Sequence, residues 1–201
     1  MLNSPENKNC YQYLRECTEI YDDVYMMQHF GVKYYRSKIF SDMDALAGYF
    51  QKVIGLKRGD VFTIFMPTTV QSIIAFYALN SIGVITNFVH PLMSTEFLKE
   101  QLEAVNSKGV MILDLLAKDH IKTINDSGLP CLVCCSSDYS EGYKKYGCKF
   151  AEGLVKKLYP KYNKSSYYKD AIAMNIKPEQ VKDNGDELGA YLNGGGTTGK
   201  S

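Results

Sequence analysis

The chain has 201 residues, of which 45% are apolar and 22% charged, a composition close to that of ordinary folded proteins and far from disordered or collagen-like chains. Lys plus Arg is 23 and Asp plus Glu is 22, a net charge of +1, which is too small for the broad basic field that non-specific nucleic-acid binding needs. A small anion held by a few local groups remains compatible with that balance. A chain of this length buries roughly 70% of its unfolded surface, so one sizeable domain can form without disulfide or metal staples.

The first ten residues, MLNSPENKNC, lack a basic and an apolar signal region. No later stretch approaches the ~20 apolar residues of a membrane span. A cytoplasmic location is the expectation.

Taken in order, Ser4-Pro5-Glu6 reads as a helix start. Cys10, Leu14, Cys17, Tyr21, Val24 and Met27 recur at helical spacing, which predicts an amphipathic helix running almost to Gly31. Residues 32–35 read as a short strand. Ser41-x-x-Asp44 resembles a capping box opening a second helix, with Leu46, Ala47, Phe50, Val53 and Ile54 on its apolar face and Gly55 as its stop.

A regular alternation follows. The runs at 61–66 (VFTIFM), 84–89, 110–115 and 131–135 read as strands, and 70–82, 94–106 and 117–127 as the helices between them. Strands repeating about every twenty to twenty-five residues, apolar on both faces, with helical connectors, indicate βαβ units. The expected fold class is therefore α/β, a mainly parallel sheet with helices on both faces. An antiparallel meander would need hairpin dipeptides between strands, and none is read in the sequence.

Between 136 and 185 the periodicity weakens. A helix is expected over 150–158, an irregular stretch over 159–169, and a short helical turn at Pro178-Glu179. The expected organisation is one unit: a helical lead over 1–30, a βαβ core over 31–135, an irregular connection over 136–185, and a strand with a terminal loop over 186–201.

Cys131 and Cys134 form a C-x-x-C followed by Cys135, yet no second pair completes a zinc site, so PCLVCC reads as a buried strand with cysteine as a small hydrophobe. His90, before Pro91, closes a strand at the end where α/β sheets bind ligands, but an isolated histidine is more often structural. His29 and His120 have no evident partners.

The informative motif is Tyr191-Leu-Asn-Gly-Gly-Gly-Thr-Thr-Gly-Lys-Ser201. Glycines let successive backbone N–H groups converge on an anion, threonine hydroxyls add donors, and lysine supplies charge. The candidate phosphate-binding residues are Gly194, Gly195, Gly196, Thr197, Thr198, Gly199, Lys200 and Ser201.

Three readings compete. Gly194 to Ser201 satisfies G-x-x-x-x-G-K-[ST], the loop of nucleotide hydrolases, in which Lys200 would hold the β and γ phosphates and Ser201 a magnesium ion. That loop must be followed by a helix, and the sequence stops at Ser201. A flexible glycine tail is the second reading, and it leaves the spaced Thr-Thr-Gly-Lys unexplained.

The third reading uses the whole chain. The loop resembles that of the adenylate-forming enzymes, the superfamily of AMP-forming acyl-CoA synthetases and related ligases, position by position as far as residue 201. Upstream, Gly55-Leu-Lys-Arg-Gly59-Asp60, VFTIFMP to Pro67, Ser81-Ile82-Gly83, VITNFVHP to Pro91, and Asp186-Glu187-Leu188-Gly189-Ala190-Tyr191 are similar to the family's ordered landmarks. Gly194-Gly195 stand where many members have hydroxyl residues.

The resemblance implies the amino-terminal portion of an AMP-forming acid–thiol ligase, with ATP, Mg2+ and CoA as cofactors and co-substrate. The partners implied are a small carboxylic acid and CoA or a carrier thiol, with no nucleic acid. It also implies that no catalytic residue or metal ligand falls in this stretch, that the carboxy-terminal domain lies outside it, and that the 201-residue piece alone is inactive. A truncated nucleotide hydrolase or a non-catalytic α/β interaction domain are the alternatives.

Overall fold

The computed structural model describes residues 7–141, 147, 150, 153, 165–182 and 185–193. Among these residues, six parallel strands form one sheet in the spatial order β7-β6-β5-β3-β4-β8. They are β3 (Val61–Phe65), β4 (Ile85–Val89), β5 (Val110–Leu113), β6 (Cys131–Cys134), β7 (Ser165–Tyr167) and β8 (Ala190–Leu192). The α/β architecture expected from the sequence is the one observed.

Helices α3 (Val70–Ser81), α4 (Thr95–Ala104) and α5 (Ala117–Ser127) connect successive strands from β3 to β6. The chain moves outward from β3 to β4, then crosses back to β5 and β6. The helices change face with that reversal, as parallel connections of one hand require.

Two apolar clusters record the change. On one face Phe62, Ile64, Met111 and Leu132 pack with Ile39, Leu46, Phe50, Ile74 and Leu79. On the other, Phe65, Val89, Val110, Ile112 and Val133 pack with Leu98, Leu102 and Ile124. Adjacent strand residues point to opposite faces, so strands covered on both sides must be apolar at nearly every position. Cys131 and Cys134 take such positions, at 3% and 0% exposure, and burial pushes both thiols well above their ordinary range.

The amino-terminal region corrects the expected long helix. Helix α1 covers only Cys10–Glu19, capped by Asn9, and is followed by the antiparallel hairpin β1 (Tyr25–His29) and β2 (Val32–Tyr35). His29 pairs with Val32, leaving Phe30 and Gly31 as the two-residue turn, at φ +49° and +88°. Positive φ at both positions matches the twist of a hairpin, and Gly31 adopts it without a Cβ penalty. A hairpin dipeptide therefore does occur, and the bulky Phe30 at its first position disguised it.

The capping box at Ser41 and Asp44 is also corrected. Helix α2 begins a turn earlier (Arg36–Tyr49) and runs through a wider π turn (Phe50–Ile54) to Gly55. Its first turn is capped from outside, where the Asp23 carboxylate accepts the Ser37 N–H over 2.8 Å. Asp44 instead accepts the Tyr11 hydroxyl over 2.6 Å and the Gln180 amide over 3.1 Å, fastening α1 and residues near 180 to α2. Burial, with help from Asp44, pushes the Tyr11 phenol up to about 12. Val53, expected on the apolar face, is 49% exposed.

The connection over 136–185 is not wholly irregular. It contributes β7 and helix α6 (Tyr168–Ala173), whose Tyr168 is completely buried. The Tyr139 hydroxyl donates to the Asp42 carboxylate over 2.6 Å and lies 3.1 Å from the Tyr168 hydroxyl, joining the segment after β6 and α6 to α2. No helical turn forms at Pro178-Glu179. That segment takes no regular secondary structure, and the Val181 N–H reaches the Ser81 carbonyl over 3.0 Å. Of the helix expected over 150–158, most residues lie outside those described.

Candidate ligand site at the carboxyl edge of the sheet

All parallel strands end on the same edge, where the segments after β3, β4 and β8 come together. The β3 run is ended by Pro67, which cannot donate to a ladder, and Thr68-Thr69 turn the chain into α3. Thr69 caps that helix reciprocally with Ser72: the Thr69 side chain accepts the Ser72 N–H, and the Ser72 hydroxyl accepts the Thr69 N–H over 2.8 Å. The β4 run is ended by His90-Pro91, and Ser94 caps α4.

These ends border a cavity of about 660 Å3. Its walls are largely apolar, built from Met66, Ile73, Phe76, Tyr77, Phe88 and Leu192, and polar groups come from Thr68, Ser72, His90 and Asn193. Such a mixture suits a ligand with an apolar body and a hydrogen-bonding end. His90 is exposed, and its Nδ1 accepts the Leu92 N–H over 3.2 Å. When neutral, the ring therefore carries its proton on Nε2, which can donate outward.

Strand β8 delivers the chain to this edge. Asn193 follows it, and its side-chain amide donates to the Phe88 carbonyl over 2.9 Å and to Asn87 Oδ1 over 3.5 Å. The contact opens a polar series that runs diagonally through the sheet. Asn87 Nδ2 donates to Thr63 Oγ1 over 3.2 Å, Thr63 Oγ1 to Ser107 Oγ over 2.9 Å, and Ser107 Oγ to the Gly109 carbonyl over 2.8 Å. Thr63 and Asn87 are wholly buried and Ser107 nearly so.

Sequence reasoning named none of these four side chains. The available signal was the polar residues inside two apolar runs, Thr63 in VFTIFM and the adjacent Thr86 and Asn87 in VITNFV, since buried polar groups ordinarily take partners. The eight loop residues from Gly194 to Ser201 lie outside the described residues, and Asn193 is the last position before them.

His120 lies at this same end of β3, on the sheet face covered by α4 and α5. It is 5% exposed, meets the Phe65 ring edge-on at 4.6 Å, and has Nδ1 3.3 Å from Thr95 Oγ1. Burial lowers its pKa, against the opposing pull of Asp119 and Glu96. It has partners after all, and they are structural. Among the described residues no group of three or more His, Cys, Asp or Glu is arranged to hold a metal ion, and no helix is long and apolar enough to cross a membrane.

A family model described as "AMP-binding enzyme" matches residues 28–201. Among curated proteins, the chain is similar to a long-chain-fatty-acid–CoA ligase of Escherichia coli O6:H1, 26% identical over 163 residues. It is similar to the enzyme of that name from Salmonella typhimurium, 27% identical over 167 residues. Each match covers 77% of this chain and 28% of the relative, so the chain spans little more than a quarter of the length of these proteins.

Among solved structures, an anthranilate CoA ligase in complex with anthranoyl-AMP superposes with a TM-score of 0.75 at 13% identity, over 98% of this chain and 34% of that one. A benzoate CoA ligase from Burkholderia xenovorans LB400 gives 0.65 at 13% identity, over 86% and 30%. At that identity the likeness concerns the fold.

Proposed function

Because the chain belongs to the AMP-binding enzyme family, whose model matches residues 28–201, we propose that it forms the amino-terminal part of an ATP-dependent, AMP-forming acid–thiol ligase. In the proposed reaction a carboxylate oxygen attacks the α-phosphorus of ATP, giving acyl-adenylate and pyrophosphate. A thiol, with CoA as the favoured acceptor, then attacks the acyl carbon and releases AMP. Both steps depend mainly on positioning and on stabilising negative charge.

In this reading the N–H groups of residues 195–199 and the hydroxyls of Thr197 and Thr198 cradle the β and γ phosphates, with Lys200 at the rim. Magnesium supplies charge neutralisation on the phosphates when bound, and no ligand for it is assigned in this chain. The single observation that carries the reading is the position of β8: the chain leaves it at Asn193, on the carboxyl edge where open parallel sheets bind ligands, directly into the glycine and threonine run. The nucleotide-hydrolase alternative accounts for eight residues, whereas the family match accounts for 28–201.

The test is carboxylate-dependent ATP–pyrophosphate exchange by the whole protein that carries this chain, with a panel of fatty and aryl acids. Thr197→Ala with Thr198→Ala is expected to lower exchange by about 10²-fold or more, as loss of oriented donors does, while the melting temperature stays unchanged. Normal exchange in that variant would remove the phosphate assignment, and no exchange with any acid in the unaltered protein would remove the ligase. The 201-residue chain alone is expected to give no exchange.

A further inference from the structure

We propose that Asn87 is a positioning residue for ATP binding: from inside the sheet it holds Asn193, and so fixes where the chain leaves β8 for the phosphate loop. The inference rests on the ligase reading above.

The argument starts from hydrogen-bond polarity. The Gly109 carbonyl is acceptor only, and it already takes the Thr63 N–H over 3.0 Å, so the Ser107 hydroxyl must donate to it. Ser107 Oγ then has only lone pairs to offer Thr63, whose hydroxyl must donate. Thr63 Oγ1 in turn can only accept from Asn87, which turns the NH2 end of the Asn87 amide toward β3. Its Oδ1 is left facing β8, where it accepts from Asn193. One backbone carbonyl thus orients an amide two strands away.

Such a series is costly unless every member is satisfied, and plain strand residues would avoid the cost. Thr63 and Asn87 sit at matched positions of neighbouring strands, on the face whose other members include Phe65 and Val89. Val and Leu would serve packing there as well. What the polar pair supplies is a fixed acceptor at the last turn of β8.

Strand β8 needs one. It is three residues long at the edge of the sheet, and Tyr191 and Leu192 are 40% and 79% exposed, so apolar burial does little to fix its end. A displacement of about 1 Å at a phosphate contact can cost roughly 10²-fold in rate.

The test uses the whole protein. Asn87→Leu, which keeps the side chain's branched shape and number of heavy atoms, is expected to raise KM for ATP roughly 10-fold while KM for the acid stays the same, the pattern of a displaced phosphate loop in a folded enzyme. Thr63→Val removes the hydroxyl but keeps the branched shape. It lets the Asn87 amide turn over, and should give the same split in a protein whose core is scarcely altered. If the two asparagines act through one contact, Asn193→Ala combined with Asn87→Leu should cost no more than the larger single change.

A lowered melting temperature with KM for ATP unchanged in both variants, or additive effects in the cycle, would overturn the proposal. The paired Thr197→Ala and Thr198→Ala variant separates the two readings. If it loses exchange while Asn87→Leu does not, only the positioning role fails. If it too is unaffected, the phosphate assignment fails and the positioning role falls with it.

Discussion

The side-chain amide of Asn193 donates to the main-chain carbonyl of Phe88 over 2.9 Å, one residue beyond the last pair of the β4–β8 ladder, Phe88 with Leu192. A side chain thus extends the strand pairing by one step. Its removal in Asn193→Ala is expected to cost about 1 kcal/mol of local stability. Hydrogen exchange at the amides of residues 190–192 should accelerate while those of β3 keep their protection, and equal protection of β8 in the two proteins would contradict this.

The hairpin turn offers a gain. Phe30 holds φ +49°, a conformation unfavourable for a bulky residue, and its ring is 55% exposed beside His29. Phe30→Asn creates the dipeptide preferred in such turns, and is expected to stabilise the fold by about 0.5–1 kcal/mol. A denaturant titration in which the midpoint fails to rise would show that the ring contact outweighs the backbone preference.

Gly48 predicts the opposite sign. A Cβ there would come within 2.0 Å of the Ile176 carbonyl oxygen, a backbone atom that cannot swing aside. Although alanine is the better helix former, Gly48→Ala is expected to destabilise by about 1–3 kcal/mol, by pushing residues near 176 off α2. Thermal melts should show it, and a raised melting temperature would mean that the approach relaxes without cost.

Stability should fall on mild acidification. Burial lowers the pKa of His120 and of His29 below the ordinary value of 6.5, so the unfolded chain binds more protons there than the folded one. Their contribution is complete above 6.5 and is lost as the pH falls through the lowered folded-state values. Melting temperatures between about pH 7 and about pH 5 should decline less steeply in His120→Leu than in the unaltered protein. Identical slopes would remove His120 as a contributor.

Much of the central architecture could be read from residue order alone. The βαβ rhythm from 61 to 134 is visible because both faces of the sheet are covered, which forces continuous apolar runs punctuated by Pro67, Gly83 and Pro91. Helix α5 matches its expected limits at Ala117–Ser127, ended by Gly128 in the left-handed region. The proposed phosphate loop rests on the same kind of signal, a run of consecutive residues.

Other elements depended on contacts distant in sequence. Residues 20–29 carry helical spacing, yet the segment turns into β1 because β2 pairs with it and Asp23 caps α2. Strand β7 is only Ser-Ser-Tyr, with no apolar run to announce it, and exists because β6 offers it an edge. Asp44, read as half of a capping box, is claimed by Tyr11 and Gln180 instead.

The sequence by itself determined the parallel α/β layering, because covered strands are written in adjacent residues, and the proposed phosphate loop likewise rests on adjacent residues. Only the tertiary structure decided that Ser107, Thr63, Asn87 and Asn193 form one oriented series. Its polarity passes between strands, and a hydrogen bond between residues 44 or 106 positions apart leaves no local pattern to read.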